Sequence, residues 1–222
     1  MLTKSVILST QGMGPHTPEM DSSTHTPDTD RRDAGKRTRI LEGAMKAFLA
    51  YGYQRTTMDD IARAAEMSRP ALYLLFRNKG DIYRAIAADI MDQSLLDAGR
   101  ALAQQGNLAE RLSGLIEDAV FALHDRLAGS PHAADILDMK NNLAFDIVAR
   151  WKDGLCRVIG EAIAKEVDRT GIDLAARDLS PSLLASLMID GLEGMKVRIP
   201  DPQQQRRAAR GLVRVVTLAV EG

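Results

Sequence analysis

The chain is poor in the features that hold most non-helical folds together. It carries one cysteine, Cys156, in 222 residues, so no disulfide can form within it. That usage suits a reducing compartment, and a cytoplasmic location is the expectation. Aromatic residues make up 4% of the chain, with a single tryptophan. Runs of β-branched residues at strand spacing are scarce too. Sheets draw on both kinds of residue, so a β or mixed architecture is disfavoured. No apolar stretch approaches the ~18 residues that a membrane helix needs. The longest near the end, Leu212 to Val220, is broken by Arg214 and Thr217. Val6-Ile7-Leu8 is too short for a secretory core. Catalytic signatures are missing as well. There is no glycine-rich phosphate loop, no G-x-S-x-G elbow and no H-E-x-x-H. None of the four histidines has Glu three residues before it, so the Glu-x-x-His of a di-iron bundle is absent. The chain therefore does not read as an enzyme, and no cofactor or metal is expected.

What is present is an all-α chain rich in Ala, Leu and Arg, with one segment set apart. Between Arg37 and Ile86 the sequence carries short helix signals separated by tight breaks. Ile40, Ala44, Phe48 and Tyr51 recur at helical spacing, predicting a first helix over about 33–51 that Gly52 stops. Thr57 with Asp60 three residues on has the form of a capping box for a second helix. Met58, Ile61, Ala62 and Ala65 are its inward face. Ser68 caps a third, with Pro70 in the first turn, where a missing N–H costs nothing. Asn78 caps a fourth, with Asp81 three residues later. Two short helices about a tight break are the helix-turn-helix pattern, whose second helix enters the DNA major groove with its N-terminal residues against base edges.

Charge agrees. The window Arg31–Arg84 holds 12 Lys and Arg against 6 Asp and Glu, a net +6, whereas the whole chain sums to −1. A basic module on a mildly acidic body suits nucleic-acid binding by one part. Arg69 is the candidate for guanine, because its planar fork matches the O6 and N7 acceptors. Ser68, Pro70 and Ala71 lie beside it at the start of the exposed helix. Tyr73, Thr57 and Lys79 read as phosphate contacts, which position the protein without reading sequence. The bland alternative is that Thr57, Ser68 and Asn78 are only caps and the cations only solvated; the joint spacing and the local charge outweigh it.

The segment resembles the N-terminal domain of the tetracycline-repressor family of regulators. The resemblance rests on Thr57-Met58-Asp59-Asp60-Ile61-Ala62, Ser68-Arg69-Pro70-Ala71-Leu72-Tyr73 and Phe76-Arg77-Asn78-Lys79. Leu75 stands where the family often has histidine, and Arg77 where it often has proline, so Arg77 is a candidate replacement phosphate contact. Arg37, just ahead of the first apolar stripe, is suitably charged for the same role. The resemblance implies nine helices, a double-stranded DNA operator, a homodimer and a small-molecule effector.

The remaining chain divides into a tail, residues 1–30, read as disordered, and a body, 81–222, joined to a DNA-binding domain at 31–80. Capping residues place body helices near 79–104, 107–128, 131–148, 150–169, 181–198 and 202–220. Leu184, Leu187, Met188, Gly191 and Met195 form one apolar stripe; Leu212, Val215, Val216 and Ala219 form another. Either an intrachain core or an interface explains them; the resemblance, which implies a four-helix dimer contact through the last two helices, favours the interface. Phe121, His124, Met139, Phe145, Trp151 and Met188 are candidate pocket residues, with a plain core as the alternative. The functional expectation is a homodimeric repressor released from a palindromic operator by a small-molecule effector. The alternative is a helical ligand-binding or catalytic protein with a vestigial DNA-binding module.

Overall fold

The computed structural model describes residues 27–122, 125, 129–133, 136 and 143–221, with side chains from residue 32 onward. Eight α-helices and no strand occur among the described residues. They are α1 (Pro27–Tyr51), α2 (Met58–Ala64), α3 (Arg69–Leu75), α4 (Lys79–Leu102), α5 (Leu108–Leu115), α6 (Phe145–Thr170), α7 (Pro181–Arg198) and α8 (Pro202–Glu221). The all-helical architecture expected from composition is the one observed.

The caps form where the sequence places them. Asn78 accepts from the Asp81 N–H, Asn107 and Glu110 close a reciprocal box, and Ser180 accepts from the Leu183 N–H. These bonds span three residues each, so local sequence suffices to specify them.

Three boundaries differ from expectation. α1 starts at Pro27 rather than near 33, so residues 27–30 of the expected tail belong to the helix. Residues 1–26 lie outside the described residues. The helix expected over 107–128 runs as α5 and then widens into a π-helical turn, Ile116–Phe121. The helix expected at 150–169 begins earlier, at Phe145, after a non-helical Ala144. Of the helix expected over 131–148, Pro131 and His132 lie in a turn, and residues 134–135 and 137–142 lie outside the described residues.

The core is continuous. Phe48, Ile40, Ile61, Leu72 and Ile82 are fully buried at one end; Leu112, Leu115, Leu155, Ile159, Ile163, Met188 and Val220 are fully buried at the other. α4 packs against both α1 and α6, and α7 packs against both α6 and α8. The boundary expected at residue 80 thus falls inside α4, which is one unbroken rod shared by both parts. Polar ties cross the body. Trp151 donates its indole N–H to Ser94 Oγ at 2.9 Å, and that hydroxyl donates to the Ala119 carbonyl of the π-turn at 2.7 Å. Arg206 of α8 binds Glu117 and Asp125 and lies 4.8 Å over the Phe121 ring.

Candidate nucleic-acid interface

The recognition module is built on α1. Its apolar face is Ile40, Leu41, Ala44, Ala47 and Phe48, all buried, while Tyr51 rotates out to solvent. Gly52, at φ +81°, ends the helix in the left-handed region, where glycine carries no steric penalty. The loop that follows is pinned by buried Thr56, whose hydroxyl donates to the Gly52 carbonyl at 2.7 Å. At Thr57 the expected box is present: its Oγ accepts from the Asp60 N–H, and Asp60 accepts from the Thr57 N–H at 3.0 Å. The Thr57 hydroxyl, which donates to the Asp60 carboxylate at 2.6 Å, and then the Thr57 N–H hold that carboxyl below its ordinary range.

The turn between α2 and α3 is tight. Glu66 has φ +54°, the Glu66 N–H reaches Arg63 O at 3.1 Å, and the Met67 N–H reaches Ala62 O at 3.0 Å. Gly43 of α1 lies beneath this turn: a Cβ there would stand 2.7 Å from the Ala65 nitrogen. Only a glycine lets α1 approach the turn backbone this closely. Ser68 then caps α3, accepting from the Ala71 N–H, with Pro70 in the first turn. Leu72 and Phe76 anchor α3 inward, so its opposite side projects outward.

That outward side carries Arg69, Pro70, Tyr73 and, at its end, Arg77; Ala71 is half-buried beside them. Arg69 pairs with Asp59 at 3.1 Å and lies 5.6 Å over the Tyr73 ring. Arg77 pairs with Asp81 at 3.1 Å. Arg37 makes a two-pronged pair with Asp89 of α4, at 2.9 and 3.1 Å. Exposed pairs of this kind contribute only about 0–1 kcal/mol. A phosphate or base edge can displace the aspartate at modest cost. Arg55, in the loop before Thr57, adds an exposed cation that the helix-based reading passed over, because it belongs to no helix.

Lys79 is held by the protein itself. Its ammonium donates to three backbone carbonyls, those of Tyr53, Gln54 and Thr56, at 2.8, 3.0 and 3.0 Å, and lies 4.6 Å from the Tyr53 ring centroid. An ammonium has three donors, and all are used. Partial burial pulls its pKa below the ordinary lysine value. Lys79 is thus a clamp on the loop after α1 in this structure. Lys79→Met keeps the stem and strands the carbonyls. It should lower stability by about 2 kcal/mol in denaturant unfolding without any DNA present. Unchanged stability would return Lys79 to the surface.

The body holds the junction tightly. Phe48, Tyr53 and Tyr83 form an aromatic cluster with centroids 5.3–6.4 Å apart. Burial pushes the Tyr83 phenol up to about 12, and it donates to the Ile136 carbonyl at 2.7 Å. Ser130 Oγ donates to the Leu49 carbonyl at 2.9 Å, and His132 lies over Gly52. An open depression of about 280 Å³ sits at this junction, lined by Ala50, Tyr51, Arg55, Asp60 and His132.

The other expected sites fare differently. Of the pocket candidates, Phe121, Trp151 and Met188 are buried in the core, and His124 and Met139 lie outside the described residues. Phe145 is corrected: it is 70% exposed at the start of α6, because Ala144 and Ile147 take the inward positions there. Of the interface candidates, Leu184, Met188, Met195 and Val216 are also corrected, being buried within the chain where α7 and α8 pack on the body. Gly191 is filled from within as well, since a Cβ there would meet Leu212 Cδ2 at 2.8 Å. Ala219 is half-buried, and Arg177 donates to its carbonyl. Only Leu187 and Val215 of that set face outward, at 51 and 64% exposure. Leu183 and Val197 of α7 and Leu218 of α8, which the sequence reading passed over, are exposed as well.

Residues 40–86 match the sequence profile of "Bacterial regulatory proteins, tetR family". Among curated proteins, the chain is 32% identical over 89 residues to the HTH-type transcriptional repressor Rv1474c of Mycobacterium tuberculosis, covering 40% of this chain and 43% of that one. It is 33% identical over 63 residues to the uncharacterized HTH-type transcriptional regulator YhgD of Bacillus subtilis, covering 28 and 33%. The chain thus spans a third to two fifths of these relatives. The fold extends further: SmeT, the repressor of a multidrug efflux pump in Stenotrophomonas maltophilia, superimposes with a TM-score of 0.59 at 18% identity, over 82% of this chain and 89% of that one. SmeT is also known in complex with triclosan.

Proposed function

Starting from a chain whose residues 40–86 belong to the tetR family of bacterial regulatory proteins, we propose that this protein is a DNA-binding transcriptional regulator acting as a homodimeric, effector-released repressor. The observation that carries the reading is α3 itself: a short helix anchored by Leu72 and Phe76, seated on Gly43 through the turn, with Arg69, Pro70 and Tyr73 exposed at its outer side. Such a helix fits the major groove, and the basic window around it supplies the phosphate attraction.

A dimer matches two half-sites one helical turn apart, about 34–36 Å. The exposed stripe Leu183, Leu187 and Val197 on α7, with Val215 and Leu218 on α8, is the face offered for it. The effector would act on the body. α4 carries Lys79 at the DNA-binding end and Ser94 in the Trp151–Ser94–Ala119 relay at the other. A ligand that rearranges that relay would tilt the rod, and the Ser130–Leu49 and Tyr83–Ile136 bonds give the body a second grip on α1 and α4. Coupling of this kind requires that the effector bind the two states with different affinity. No helix of the described residues is long and apolar enough to cross a membrane.

Selection of binding duplexes from genomic fragments tests the reading. A near-palindromic site should emerge, and Arg69→Ala should relax discrimination at one base pair, by about 1–3 kcal/mol. Uniform binding of all duplexes alike would refute it.

A further inference from the structure

The outward side of α3 has two faces of different chemistry. Arg69 and Tyr73, four residues apart, make a cationic and aromatic edge, with Asp59 already paired to the guanidinium. Pro70, Ala71 and Leu74 make the other, since 70 and 74 are one turn apart and 71 and 74 three residues apart. Leu74 is 86% exposed, with Pro70 exposed and Ala71 half-buried alongside. On a helix that the preceding reading sends into the major groove, this is an unpartnered apolar patch at the contact face.

We propose that Leu74, together with Pro70 and Ala71, is a specificity-determining surface that reads thymine C5-methyl groups in the operator. Two observations and one property of DNA select this occupant. The surrounding window carries a net +6, so its complement is a polyanion rather than an apolar partner. In the major groove the thymine methyl is the apolar group that base edges display. And Arg69, the only strong hydrogen-bond donor in the first turn of α3, is partly committed to Asp59. Sequence discrimination by this helix therefore rests on shape and apolar contact as well as on a guanine fork. The inference depends on the DNA-binding reading above and goes beyond it by naming the base.

The test uses the full chain and a duplex selected by it. Each thymine of a half-site is replaced in turn by deoxyuridine, which removes the methyl and nothing else. Wild-type protein should lose affinity about fourfold for each methyl it covers. Leu74→Ala should lose affinity on the thymine duplex and become indifferent to uracil at that same position. Because Leu74 is exposed, the variant should keep the wild-type melting curve. Uracil that is silent at every position would overturn the proposal. So would a Leu74→Ala loss of equal size on thymine and uracil duplexes, or a Leu74→Ala change in solution mass with no uracil effect, which would make the patch a contact between copies. If no duplex is enriched at all, the DNA-binding reading falls and takes this one with it.

Discussion

Gly43→Val should cripple the recognition module while leaving the body helices folded. A Cβ at 43 would stand 2.7 Å from the Ala65 nitrogen and 2.9 Å from Ala64 C and Ala65 Cα, and all three atoms are backbone. No rotamer change relieves such a contact. The turn above it has little room to move, because Glu66 is in the left-handed region and the Glu66 and Met67 N–H groups are both bonded back into α2. Gly43→Ala separates the competing terms. Alanine gains about 1 kcal/mol over glycine inside a helix, while overpacking against rigid neighbours costs about 1–3 kcal/mol. A net loss near 1 kcal/mol is expected for alanine, and about 3 kcal/mol or more for the branched valine. Denaturant unfolding followed by circular dichroism measures both. Operator affinity should fall with stability, because α3 is held by this turn. An alanine variant as stable as wild type would show that α1 and the turn can separate freely, and that Gly43 does not seat α3.

Val215→Asp combined with Leu187→Asp should split the proposed dimer and cut operator affinity by two to four orders of magnitude. Each apolar side chain buried at an interface contributes about 1.5–3 kcal/mol, and both are exposed in the single chain. In a two-fold interface every substitution appears twice, so the double variant would put four carboxylates into one apolar contact. Loss of the dimer then removes the effective concentration that ties the second recognition helix to its half-site, which is the 10²–10⁴ factor. The expected readout is a monomer by light scattering at micromolar concentration, with an unchanged helical spectrum. Leu184→Ala is the matching control: Leu184 is buried inside the chain, so it should lower the unfolding midpoint instead. A double variant that stays dimeric would move the interface elsewhere.

How far the sequence reached depends on the range of each interaction. The caps at Thr57, Ser68, Asn78, Asn107 and Ser180 were legible because donor and acceptor are three residues apart. The exposed helix and its Arg69, Pro70 and Tyr73 were legible for the same reason, since short helix, break and cap fix which residues begin α3. The Lys79 clamp was not. A lysine at a helix start suggests an anion, and the carbonyls that claim it come from a loop 23–26 residues earlier. α7 and α8 show the limit most clearly. Helical periodicity reveals that an apolar stripe exists, but α7 carries two such stripes side by side, 184/188/195 and 183/187/197.

Sequence alone settled the all-helical architecture, the capped starts at Thr57, Ser68, Asn78, Asn107 and Ser180 and the basic recognition module, because those follow from bonds and charges between near neighbours. Tertiary packing alone decided which apolar stripe is buried, which cation is consumed inside the chain and that α4 is shared by both parts. Those outcomes depend on helices dozens of residues apart competing for the same surface, and no local pattern records the winner.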